Sequence, residues 1–298
     1  MPSGPGTGEQ LESIWKLGGL TLWQLTRRVV RGIDEDDLFG RASELAFNFL
    51  LALFPLLLFM LALFGLFASR SDELQRSLLS YFAHFLPPPA FQLLRAITIE
   101  MAANATSGKL TFGIVLTLWF ASGGMSSMIS TLDAVYHVRE FRSWFRVRVI
   151  ALGLTIAISI LLLTSLLIVL VGGHFGDWIG IKLHLTSSTV FVGKGLQWAT
   201  AVLFVNLSFS LIYYCGPSLD QRHWHWITPG SMFGGFLWLA ASAGFRVYLH
   251  FFNTYTATYG SLGAMMILLV WLYVTGLAFL IGGEINAQIE RASQARIL

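Results

Sequence analysis

Residues 45–68 read LAFNFLLALFPLLLFMLALFGLFA, with Asn48 as the one strongly polar side chain. About 20 apolar residues suffice for a helix to cross a hydrocarbon core of ~30 Å. No water is present there to satisfy backbone N–H and C=O groups, so such a stretch must be helical. Five more apolar runs follow, and the expected spans are residues 42–68, 110–132, 149–171, 195–214, 228–250 and 262–283. The fold class is all-α, a polytopic bundle of six transmembrane helices with amphipathic surface helices.

Composition agrees. The chain has 298 residues, 55% of them hydrophobic and 12% charged, where soluble domains carry about 25% charge. Six spans with their links use nearly the whole length, leaving no room for a separate soluble domain. The single cysteine, Cys215, excludes an intrachain disulfide. The polar opening and the length of the first apolar run give no cleavable signal peptide, so the first span is expected to stay in the mature protein.

Lys and Arg near span ends set the orientation. Lys16, Arg27, Arg28, Arg31 and Arg41 precede the first span. Arg139, Arg142, Arg146 and Arg148 crowd the link between spans two and three, and Arg291 and Arg296 follow span six. The link between spans five and six carries neither Lys nor Arg. Both termini are therefore expected in the cytoplasm. Residues 1–41 form a cytoplasmic segment with an amphipathic helix, residues 42–285 the membrane domain, and residues 286–298 a short cytoplasmic tail. In the first segment Leu17, Leu22, Leu25 and Val29 recur at helical spacing beside Arg27, Arg28 and Arg31, a pattern suited to an anionic leaflet. An outer amphipathic hairpin is expected over about 70–109, broken at Pro87-Pro88-Pro89.

Charged groups at membrane depth are expensive and mark candidate sites. Glu44 and Asn48 lie one turn apart at the inner end of span one. Asp133 closes span two, and Glu284 and Asn286 close span six on the same side, with Arg139 and Arg142 close to Asp133 in sequence. Two readings stand: a polar site for a cation, proton or lipid headgroup, or a structural lock of carboxylates and arginines. Arg246, towards the outer end of span five, is a candidate contact for an anionic headgroup, with Tyr259 in the adjacent link. No HExxH, P-loop or GxSxG motif is present, so no metal, cofactor or catalytic set is expected. The basic residues border membrane, which leaflet charge explains better than nucleic acid does.

Four stretches together resemble the YihY/BrkB family of bacterial inner-membrane proteins. They are RASELAFNFLLALFPLLLFMLALFG at 41–65, WFASGGMSSMISTLDAVYHVRE at 119–140, PGSMFGGFLW at 229–238 and YGSLGAMMILLVWLYVTGLAFLIGGEINA at 259–287. The resemblance implies six spans in the cytoplasmic membrane and a role in the cell envelope. Some members carry a ribonuclease BN label, which this sequence does not support, because the ligand cluster of a metal-dependent nuclease is missing. The leading expectation is a transporter or lipid-handling protein without covalent chemistry, with membrane lipids and envelope proteins as partners. The alternatives are an envelope structural or assembly factor and, weakest, a membrane-embedded enzyme.

Overall fold

The computed structural model describes residues 15–68, 95, 108–182, 187–219, 227–251 and 261–295. Among these residues the chain is helical, with no strand. A 3-10 turn at Leu17–Gly19 leads into α1 (Leu22–Glu35), α2 (Leu38–Ala68) and α3 (Gly108–Val135). α4 (Trp144–Lys182), α5 (Ser187–Cys215), α6 (Pro229–Phe251) and α7 (Ser261–Gln294) complete the order. The hairpin expected over 70–109 falls almost wholly outside the described residues.

Local chemistry sets the helix ends. Thr21 and Gln24 form a reciprocal capping box at the start of α1, which satisfies two orphan backbone donors. Pro229 opens α6, where its missing N–H is harmless. Thr228 and Ser231 bond each other's backbone N–H across that first turn. α5 ends at Cys215, before Gly216-Pro217, with Gly216 N–H still bonded to the Ile212 carbonyl at 2.8 Å.

Among the described residues four helices carry stretches long and apolar enough to cross a membrane: Val115–Val135, Trp144–Ile168, Gln197–Cys215 and Met265–Gln294. The other two expected spans form α2 and α6, 31 and 23 residues long. Gly230, Gly234, Gly235, Gly244 and Arg246 dilute the hydropathy of α6. The helices outrun the apolar runs: the span expected at 149–171 is a helix from Trp144 to Lys182.

α2, α3, α4, α5, α6 and α7 contact one another in that order, and α7 closes the ring against α2. α7 also touches α1, α3 and the 3-10 turn, so it is the most connected helix. Leu38, Leu45, Ile129, Leu132, Phe279 and Leu280 fill the core with less than 2% of their surface exposed. Lipid is as apolar as leucine, so burial alone cannot hold such helices together, and close backbone approach and polar contacts must contribute. Gly230 and Gly282 show the first device. A Cβ on Gly282 would sit 2.6 Å from the Gly230 carbonyl oxygen, and one on Gly230 would overlap the Gly282 carbonyl.

Candidate functional site

The turn between α3 and α4 brings together Asp133 and Arg142 and meets the network around Glu284. Asp133, in the last turn of α3, is buried, and its Oδ1 accepts the Ser218 backbone N–H at 2.6 Å. Arg142 is also buried and lies 3.8 Å from Asp133 Oδ2. Its fork grips Glu140, with Nε 2.8 Å from Oε1 and Nη2 2.6 Å from Oε2. Its remaining donors reach the carbonyls of Gly216 at 2.8 Å and Cys215 at 3.4 Å. Those carbonyls lie at the C-terminal end of α5, where a cation is favoured. One guanidinium thus fastens the α3–α4 turn to the end of α5.

Burial alone would raise the Glu140 carboxyl, but the hydrogen bonds from the Arg142 side chain and backbone outweigh it and hold Glu140 down at about 2. Burial pushes the Tyr136 phenol on the same turn well up, with Glu290 adding to the effect.

A second network meets the same turn at Val135 and His137. Glu284 in α7 is fully buried. Its Oε1 accepts from Gln288 at 2.7 Å and from Arg291 at 3.3 Å. Arg291 also donates to the Val135 carbonyl at 3.3 Å and to His137 Nδ1 at 2.9 Å. Arginine only donates, so Nδ1 accepts and Nε2–H donates to Asp36 Oδ1 at 2.6 Å. Asp36 follows α1, so the chain Asp36–His137–Arg291–Glu284 ties three elements together. Gly32 in α1 permits this, since a Cβ there would overlap the Glu284 carboxylate.

The other candidates lie apart. Asn286 donates to Thr228 Oγ1 at 3.0 Å and accepts the Gly230 N–H at 2.9 Å, so it caps α6. Asn48 donates to the Glu44 carbonyl and to Ser127 Oγ, each at 3.0 Å, and so joins α2 to α3. The Glu44 and Arg139 side chains are exposed. Asp133 and Glu284 are thus served by different arginines, linked only through the turn between them. Arg246 is exposed and has no ion pair among the described residues, while Tyr259 lies outside them. Arg148 stacks over the Trp119 ring, 4.3 Å from its centroid, and donates to the Trp119 carbonyl. No group of three His, Cys, Asp or Glu side chains able to hold a metal ion occurs among the described residues.

Inside the ring of helices is a cavity of about 310 Å³. All six ring helices line it, among them Phe49, Met125, Leu162, Phe209, Trp238 and Trp271. The lining is apolar apart from a few hydroxyls. Ser208 Oγ donates to its own helix at Phe204 and Thr155 Oγ1 to Ala151. The buried Ser159 Oγ has no partner. The volume falls at the lower end of the range for small-molecule pockets, about 300–1,000 Å³.

The family model described as virulence factor BrkB matches residues 29–297. The chain belongs to the BrkB family. This BrkB-family protein is 33% identical over 252 residues to a Bacillus subtilis protein named putative ribonuclease-like protein YfkH, covering 85% of this chain and 90% of that one. It is 28% identical over 273 residues to the UPF0761 membrane protein PBPRA3489 of Photobacterium profundum, covering 89% of this chain and 80% of the relative. A UPF0761 membrane protein of Tolumonas auensis is 25% identical over 87% of this chain and 83% of its own length. No solved structure matches. Family membership and the apolar helices together make this a multi-pass membrane protein.

Sequence reasoning passed over Asp36, His137, Glu140 and Arg291 as site members. The spacing of Glu284, Gln288 and Arg291 at i, i+4 and i+7 was visible as one helical stripe. The cavity left no such trace, because its lining reads like ordinary core.

Proposed function

We propose that this BrkB-family protein handles lipid within the bacterial cytoplasmic membrane, moving or presenting an acyl-chain molecule without covalent chemistry. The observation that carries this reading is the apolar cavity lined by residues of all six helices α2 to α7. An ion or sugar path needs polar walls, whereas these walls offer aromatic rings, methyl groups and a few hydroxyls. An acyl chain needs nothing else.

In this reading α2 and α6 cross the membrane with the other four helices, giving six crossings and both termini on the cytoplasmic side. The arginines at the α3–α4 turn and the C-terminal part of α7 support that orientation. The buried carboxylates act as locks rather than catalysts, since Asp133 and Glu284 are each engaged by an arginine and by a further donor. The same saturation favours a second reading, a structural or assembly factor of the envelope in which the bundle itself is the product.

Translocation in proteoliposomes tests the choice. Phospholipid carrying a nitrobenzoxadiazole headgroup is reconstituted with the protein, and dithionite quenches the label in the outer leaflet. Lipid movement predicts quenching beyond one half for the wild type and a return to one half for Ser159→Leu with Leu162→Phe, which fill the cavity. Quenching that stops at one half for both proteins supports the assembly-factor reading and rejects the first.

A further inference from the structure

α1 does two jobs with different faces. At about 100° per residue, Leu25, Val29 and Gly32 fall on one buried side. That side packs on Ile285 and Ile289 of α7. The neighbouring flank carries Leu22, Trp23 and Val30, which are 73%, 76% and 60% exposed. Beyond it come Arg27 and Arg31, with Arg28 on the far side of the helix, all exposed and without an ion pair among the described residues. Asp34 and Glu35 are confined to the last turn, so the first three turns carry no acidic side chain, and their only uncharged polar ones are Gln24 and Thr26.

The position of α1 along the membrane normal is constrained. Only Asp36 and Asp37 separate it from α2, whose strongly apolar run begins at Leu45. Its partner stretch on α7, from Ile281 to Ile289, lies where that helix turns polar. α7 has 34 residues, about 51 Å at 1.5 Å per residue, so its end must emerge from a ~30 Å core. α1 therefore rests at headgroup level. Exposed Phe141, Trp144 and Phe145 stand near Arg139 and Arg146 on the α3–α4 turn that shares the Asp36–His137 contact.

We propose that the free flank of α1 is a binding site for anionic phospholipid in the leaflet at the C-terminal end of α7, with Leu22, Trp23 and Val30 inserted and Arg27 and Arg31, which border that strip, on the phosphates. A hydrophobic strip bordered by arginines is the form an interfacial helix takes on an anionic surface. A soluble protein partner would have to cover that strip in competition with lipid already present at its level. The proposal holds whether or not the cavity carries lipid.

Bimane on Trp23→Cys, and separately on Val30→Cys, both in a Cys215→Ser background, reads the environment of the flank. Glu35→Cys serves as the control position. The full chain is reconstituted in vesicles of phosphatidylcholine and phosphatidylglycerol, with bromine on the acyl chains of one lipid or the other. The expected result is quenching at 23 and 30 that is at least about twofold stronger with brominated phosphatidylglycerol, and iodide access at 35. Replacing Arg27 and Arg31 by Gln should remove that preference. Equal quenching by both lipids overturns the proposal. So does iodide access at 23 and 30, or protection there from bromine and iodide alike, the signature of a covering protein or second copy.

Discussion

Arg142 holds Glu140 through both carboxylate oxygens, at 2.8 and 2.6 Å, while the same guanidinium lies 3.8 Å from buried Asp133. The arrangement concentrates two negative charges around one cation at the end of α5. Removing one partner of a buried ion pair typically costs about 3–5 kcal/mol, because the other is left uncompensated. Arg142→Ala should therefore lower the unfolding midpoint in detergent sharply. Arg142→Lys should recover only part of the loss, since lysine lacks the fork. Near-wild-type stability for Arg142→Ala would remove the lock from the account.

Acid should loosen the same lock in a defined window. Glu140 is held at about 2, below its ordinary 4.5. Its folded form thus binds the proton more weakly than its unfolded form. The stabilisation is complete above 4.5 and is lost as pH falls towards 2. Thermal midpoints measured against pH should drop through that window in the wild type. Glu140→Gln should start lower and show a shallower drop, and parallel curves would contradict the assignment.

Glycine positions at the α6–α7 contact should be intolerant. Gly282→Ala places a methyl against the Tyr213 hydroxyl and the Gly230 carbonyl, and overpacking of this kind costs about 1–3 kcal/mol. Gly123→Ala, where a Cβ meets nothing within 4 Å, is the matched control. Stability of the two variants in the same detergent should differ in that order.

Arg291 and Glu284 should behave as a coupled pair. Arg291→Ala leaves a fully buried carboxylate with Gln288 as its remaining side-chain donor. Adding Glu284→Gln removes the stranded charge and should restore part of the stability, a coupling of about 0.5–3 kcal/mol in a double-mutant cycle. Additive losses would show that the two side chains do not share an interaction.

The fold was legible because lipid allows few solutions. Five of the six expected spans fall within one of α2 to α7 and the sixth starts one residue before α6, and Pro229 and Gly216-Pro217 mark ends where the backbone chemistry requires them. The candidate site was legible only in its members. Depth placed Asp133, Glu284 and Asn286 at one level, but depth carries no lateral information. The turn sorts them into separate contacts with Arg142, Arg291 and Thr228. His137 escaped notice because a lone histidine after a span has no local pattern, and its role depends on Asp36, 101 residues away. The cavity escaped because Phe49, Met125 and Trp271 look alike whether they close a void or line one.

Photolabelling tests the central claim, that the cavity of this BrkB-family protein holds an acyl chain, most directly. A phospholipid with a diazirine in its acyl chain is reconstituted with the protein, irradiated, and the adducts are located by peptide mass spectrometry. The account predicts adducts at Phe49, Met125, Phe209 or Trp271, suppressed by excess unlabelled phospholipid and lost in Ser159→Leu with Leu162→Phe. Adducts restricted to outward-facing residues such as Phe236, Val247 and Val270, unchanged by filling the cavity, would contradict it.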